Sequence, residues 1–138
     1  MRYSLLIFSV ISSLSFSLAC PKEDWQKQKQ DAQEKCQKTV KIDPKIVEDI
    51  KTNGVDKPDE TVKEFILCLA FNNGFIDKDG NLQMDTINKH LKEQGVSEEK
   101  IDEANEKCDI KNKDDTPLLP VAYYQCYGKY LPRDVLVI

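Results

Sequence analysis

Apolar positions recur with a helical period almost throughout this chain. From Lys22 to Val40, Trp25, Ala32, Cys36 and Val40 fall near one stripe among lysines, glutamines and acids, which predicts an amphipathic helix. Asp43-Pro44 offers an N-cap and a first-turn proline for a second helix with Ile46, Val47 and Ile50 on its apolar face. Asn53-Gly54 stops it. Asp59 and Glu60 after Pro58 open a third helix, since acids suit the positive end of a helix dipole. It runs to about Phe71, and Phe65, Ile66, Leu67, Leu69 and Phe71 make it the expected central, buried helix. Asn72-Asn73-Gly74 ends it, and Phe75 to Gln83 reads as a turn.

Met84, Ile87 and Leu91 then repeat at i, i+3 and i+7 in a fourth helix that Gly95 terminates. Ser97 caps a fifth with inward residues Ile101, Ala104 and Cys108. Asn112 to Thr116 reads as a polar loop. Pro117 is the expected start of a sixth helix, running to about Tyr130 and stopped by Pro132. With Cys126 taken as inward, Leu119, Ala122, Tyr123 and Tyr130 share its side, Tyr127 flanks it and Tyr124 points away. Val135 to Ile138 is an apolar tail, expected to dock because an exposed apolar end is a liability. No repeat and no strand alternation interrupts the pattern, so the expected fold is all-α, six helices in one domain.

The first residues change the setting. Met1-Arg2, an apolar run from Leu5 to Phe16, and small residues at Ser17 and Ala19 have the form of a secretory signal peptide cut after Ala19. Residues 1–19 are therefore read as the signal and 20–138 as the secreted domain. The run is short for a membrane span, and no later stretch is long enough. The chain carries a formal net charge of −4, and loss of Arg2 makes it more negative. A mildly acidic domain lacks the basic face that nucleic acid requires. Nor does it carry the lysine-rich amphipathic helix of a membrane-surface protein.

Secretion also changes how the five cysteines are read. In an oxidising compartment thiols pair. Cys36, Cys68, Cys108 and Cys126 are interior, separated by 31, 39 and 17 residues. These gaps are far longer than zinc-ligand spacing, and the single histidine is His90. Two disulfides from these four cysteines are expected, and spacing alone leaves all three connectivities open. Cys20, beside the cleavage point, reads as an unpaired terminal thiol.

Little in the chain supports catalysis. Asp77-Lys78-Asp79-Gly80-Asn81 opens like a calcium-binding loop, but Leu82 stands where the sharp turn needs glycine and Asn88 where a bidentate glutamate belongs. It reads as a surface turn. No nucleophile-elbow pattern occurs, and His90 reads as a half-exposed surface histidine rather than a base. The expectation is a non-enzyme with no metal and no cofactor.

The cysteine ladder resembles that of the insect odorant-binding and pheromone-binding proteins (the PBP/GOBP family). That family usually has six cysteines, and Cys36, Cys68, Cys108 and Cys126 match the first, third, fourth and sixth. Gly74 to Leu82 looks like the turn before the family's fourth helix. Ala122-Tyr123-Tyr124-Gln125-Cys126-Tyr127 looks like the start of its closing signature. The second and fifth cysteines would fall at Glu64 and Pro117, and both are missing, which fits the four-cysteine subgroup.

The resemblance implies bridges Cys36–Cys68 and Cys108–Cys126, a compact six-helix domain around an apolar cavity, and reversible carriage of small hydrophobic molecules through extracellular fluid. It also implies delivery to a membrane receptor by a monomer or weak homodimer. Inward faces supply the expected ligand-binding residues: Ile50, Phe65, Leu69, Met84, Ile87, Leu91, Ile101, Ala104, Ala122 and Tyr123, with Val137 from the tail. Tyr123 is the expected polar anchor. The rival is a secreted salivary or venom-type protein with a solid core that binds a macromolecular partner.

Overall fold

A computed structural model of the chain describes residues 21–109 and 119–138. The described residues form six helices: α1 (Pro21–Val40), α2 (Pro44–Asn53), α3 (Glu60–Asn72), α4 (Met84–Glu93), α5 (Glu98–Lys107) and α6 (Leu119–Tyr130). Their only strand-like pairing is a single antiparallel bridge between Ile76 and Leu82. No described helix is long and apolar enough to cross a membrane. The signal segment, Cys20, the polar loop at Asn112–Thr116 and Pro117 lie outside the described residues.

Local chemistry sets the helix ends. The Asp43 carboxylate accepts from the Lys45 N–H, and Pro44 sits where its missing N–H costs nothing. Asp59 accepts from the Val62 N–H at 2.8 Å, and the Ser97 hydroxyl accepts from the Lys100 N–H. Asp77 ties the turn before α4, its Oδ1 accepting from the N–H groups of Asp79 and Asn81 at 2.8 and 2.9 Å. Those Asn81 bonds hold the Asp77 carboxyl below the usual carboxylate range. Its acceptor capacity is spent on closing a turn, and among the described residues no cluster of three or more acidic, histidine or cysteine side chains could hold a metal.

Gly54 does more than end α2. Its φ is +78°, and a Cβ there would lie 2.8 Å from Nη2 of Arg133. Arg133 in turn donates from Nη1 to the Lys51 carbonyl at 3.3 Å, a cation on the negative end of α2. Gly54→Ala is expected to cost about 1–2 kcal/mol, because it combines left-handed backbone strain with displacement of Arg133. Urea denaturation checks this, and an unchanged midpoint would show that neither constraint matters.

The core has two parts. Cys36 of α1, Val47 and Ile50 of α2, and Phe65, Ile66 and Leu69 of α3 form one cluster, completed by Val137 and Ile138. Ile87 and Leu91 of α4, Ile101 and Ala104 of α5, and Tyr123 and Tyr127 of α6 form the other, completed by Val135 and Leu136. The expected central helix is half right: Phe65 and Leu69 are fully buried, whereas Phe71 is 54% exposed. Phe71 is seven residues on from the exposed Glu64 and shares its outward face, while its neighbour Ala70 is buried.

One disulfide joins each part. Cys36–Cys68 bridges α1 to α3 and Cys108–Cys126 bridges the end of α5 to α6, the pairing that the resemblance implied. The tail after α6 docks across both clusters. It makes a single 3-10 turn at Arg133–Val135, and its four last side chains are each 7% exposed or less.

Candidate functional site

The seam between the two clusters holds an apolar cavity of about 60 Å³. Ile66 and Ala70 of α3 form one wall, Ile87 and Leu91 of α4 another, and Tyr123, Tyr124 and Tyr127 of α6 a third. Phe75 and Leu82 enter from the turn before α4, and Val135, Leu136 and Val137 of the tail close the remaining side. A water occupies roughly 10–15 Å³ on this scale, so the cavity as it stands has room for a few waters and not for a drug-sized ligand.

Of the residues expected at a ligand site, Ile87, Leu91, Tyr123 and Val137 line this cavity. Ile50, Phe65 and Leu69 lie in the first cluster. Ile101 and Ala104 are buried in the second, and Met84 packs against it. None of these six is in the lining. The phase of α3 explains part of the division. Ile66 and Ala70 are each one residue, or about 100° of helix, beyond Phe65 and Leu69. The two apolar stripes face different neighbours, and both look like core in sequence.

On α6 the choice of Cys126 as the inward marker misplaces the face. The disulfide turns Cys126 toward the end of α5, and Ala122 shares its flank in a separate groove with Val55, Cys108 and Gln125. Pro120, Tyr123, Tyr124 and Tyr127, at i, i+3, i+4 and i+7, face the cavity instead. Tyr124, expected to point away, is therefore in the lining, and Tyr130, expected inward, is 41% exposed. The spacing of Tyr123, Tyr124 and Tyr127 was the available signal.

The polar atoms of this wall are few. Tyr127 donates from its hydroxyl to Asn105 Oδ1 at 2.6 Å, and Asn105 donates to Asn88 Oδ1 at 3.1 Å, which links α6, α5 and α4. Burial, with Tyr123 beside it, pushes the Tyr127 phenol well above its ordinary range. Burial likewise raises Tyr124 to about 12, against the opposing charge of Arg133. The Tyr123 hydroxyl makes no hydrogen bond among the described residues, while its ring packs edge-on against Tyr127 at 5.5 Å.

His90 is half-exposed, as the sequence suggested, but it is more than a surface residue. It lines the cavity, with its ring centroid 4.0 Å from that of Trp25 and 5.1 Å from that of Phe75. Its Nε2–H donates to the Val135 carbonyl at 2.9 Å, and Trp25 Nε1–H donates to the neighbouring Asp134 carbonyl at 3.1 Å. These two bonds pin the tail. Its place on α4, one residue before the buried Leu91, was the signal; the aromatic partners come from α1 and the turn.

Burial lowers the His90 pKa from 6.5, aided by the charge of Lys29 and opposed by the Val135 bond and Glu93. The unfolded chain therefore takes up this proton more readily than the folded one. Stability from the neutral ring is present above pH 6.5 and is lost as pH falls through the lower folded value. Guanidinium denaturation at pH 7.5 and pH 5 is expected to show this acid loss, and His90→Gln to reduce it. An identical pH slope in both proteins would contradict the assignment.

Two staples, six helices and an apolar seam with the chain's own tail along one side define a small disulfide-stapled helical protein with an apolar cavity among its described residues. The chain belongs to the PBP/GOBP family, whose model it matches over residues 19–130. Members of that family are binding proteins rather than enzymes. No curated protein and no solved structure gives a match.

Proposed function

We propose that this chain is a secreted carrier that takes up small hydrophobic molecules of the odorant or pheromone kind and releases them without chemical change. Residues 1–19 are its secretory signal, removed to leave 20–138. The observation that carries the reading is the seam cavity, predominantly apolar and bounded on one side by a tail held through four side-chain donors. Ligand pockets enclose roughly 300–1,000 Å³, so uptake requires a wall to move. The tail, which has only one 3-10 turn and is tied by side-chain hydrogen bonds, is the wall taken to move. Tyr123 has a hydroxyl to offer as polar anchor. Delivery to a membrane receptor, as a monomer or weak homodimer, belongs to the same reading.

Displacement of N-phenyl-1-naphthylamine by volatile apolar molecules tests the function. Micromolar displacement is expected. Failure of the probe to bind would favour the solid-cored interaction protein instead.

On this reading the chain is of the four-cysteine subgroup, which the absence of cysteine at Glu64 and Pro117 supports. Contact between α3 and α6 then rests on packing alone. The Glu64→Cys/Pro117→Cys double variant is expected to slow amide exchange in both helices. Equal protection in the two proteins would remove the idea that the missing staple loosens the cavity.

A further inference from the structure

Outside the cavity, the tail is flanked by an open groove of about 760 Å³ along α1. Gln26, Gln30, Gln33 and Gln37 form one side at helical spacing, and Lys29 stands among them. Lys51 and Arg133 close the other side. The groove holds four cations (with Lys27) against two acids, Glu34 and Asp134, in a chain whose formal charge is −4. Lys51 shares its charge with Glu48 at 3.6 Å, and Arg133 donates to the Lys51 carbonyl. Lys29 makes no hydrogen bond or ion pair among the described residues.

The same tail separates this groove from the cavity. Val135, Leu136 and Val137 face the cavity, whereas Arg133, Asp134 and Ile138 line the groove. Lys29 lies close enough to the cavity for its charge to act on His90. Along the seam every side-chain group bonded to the tail backbone is a donor. Trp25 and Gln26 reach the Asp134 carbonyl, His90 the Val135 carbonyl and Gln33 the Val137 carbonyl. When the tail moves, these four donors lose their tail acceptors beside the Lys29 cation. An ionised carboxylate is an acceptor-only group of matching charge.

We propose that the seam between the tail and α1 is a head-group site for a long-chain carboxylate, with Lys29 meeting the carboxylate and the alkyl chain running into the apolar cavity. This rests on the carrier reading and adds the class of ligand. Burial without a partner is costly for an ammonium. It holds Lys29 down at about 8, although Asp134 pulls the other way and Lys51 reinforces the drop. Lys29 is still mostly charged at pH 7, so an arriving carboxylate gains a cation that the protein leaves poorly compensated.

Laurate, dodecanol and dodecylamine share one chain and differ in head charge. Competition of each against N-phenyl-1-naphthylamine at pH 7 tests the site. Laurate is expected to displace the probe at about tenfold lower concentration than dodecanol, with dodecylamine weakest. Lys29→Gln should bring laurate to the level of dodecanol and leave dodecanol unchanged, and Lys100→Gln on exposed α5 should alter neither. The ¹³Cε titration of Lys29 should move to higher pH with laurate and stay in place with dodecanol. Equal displacement by laurate and dodecanol, a laurate preference that survives Lys29→Gln, or an unmoved Lys29 titration overturns the inference and leaves the carrier intact. No displacement by any of the three overturns both.

Discussion

Replacing Cys36 and Cys68 together with alanine is expected to cost about 3–4 kcal/mol by the chain-entropy relation for a loop of this length. The bridge closes a separation of 32 residues, against 18 for Cys108–Cys126. Loop entropy grows only as the logarithm of length, so that difference alone is worth roughly 0.5 kcal/mol. Position adds to it. Cys36 has no exposure and sits in the cluster of Phe65 and Leu69, the part of the fold where α1 packs on α3. The Asn72 amide donates to the Cys68 carbonyl at 2.8 Å and lies 3.5 Å from both sulfurs, so the last turn of α3 is organised around the bridge. Burial itself does not separate the bridges, since Cys108 is 1% exposed and Cys68, like Cys126, is half-buried; the difference lies in the loop length and in the α1–α3 packing. The Cys36→Ala/Cys68→Ala protein should therefore be less stable in guanidinium than the Cys108→Ala/Cys126→Ala protein. The reverse order, or a loss below about 1 kcal/mol for the first pair, would mean that the unfolded chain is already compact around this bridge.

The legible parts of this fold are those that one helix turn decides. Asp43-Pro44, Asp59 and Ser97 open helices because a short side chain can reach its own backbone N–H. Gly54, Gly74 and Gly95 end them because each takes a positive φ. Such signals need no knowledge of the rest of the chain. The pairing of the cysteines is different. Spacing left three connectivities, and resemblance to a family chose among them.

The cavity was harder to read, because its residues differ from the core in neighbours and not in kind. Phe65 and Ile66 are adjacent and both are buried, yet the second lines the cavity and the first does not. On α6 a cysteine looked like a marker of the interior. A disulfide needs only a partner cysteine, and here the partner is at the end of α5, off the cavity. The place of His90 at the cavity was hidden for a related reason. A single polar residue beside an apolar stripe gives no sign that Trp25 and Phe75, from distant parts of the chain, will cover it.

Ending the chain after Asp134 is expected to have the largest effect of any change considered, on the order of 5 kcal/mol from lost apolar burial. Val135, Leu136, Val137 and Ile138 are 5%, 7%, 5% and 4% exposed. Complete burial of a single side chain of this kind contributes about 1.5–3 kcal/mol, and the lower end applies because an unfolded chain already buries some of that area. The truncation also takes away the Val135 and Val137 carbonyls, leaving His90 Nε2 and Gln33 Nε2 to water. Because the tail ties the two clusters together, both should loosen, and thermal unfolding should shift down and broaden. The opened seam should take up N-phenyl-1-naphthylamine faster and hold it less tightly, since the probe gains an entrance and loses a wall. Saturating an apolar ligand at 100 times its Kd should return about 2.7 kcal/mol by mass action. A truncated protein that melts where the full chain does would show that the tail is an ornament on a core complete without it. One that melts lower but exchanges the probe at the original rate would show that the tail stabilises the fold and that ligands enter elsewhere.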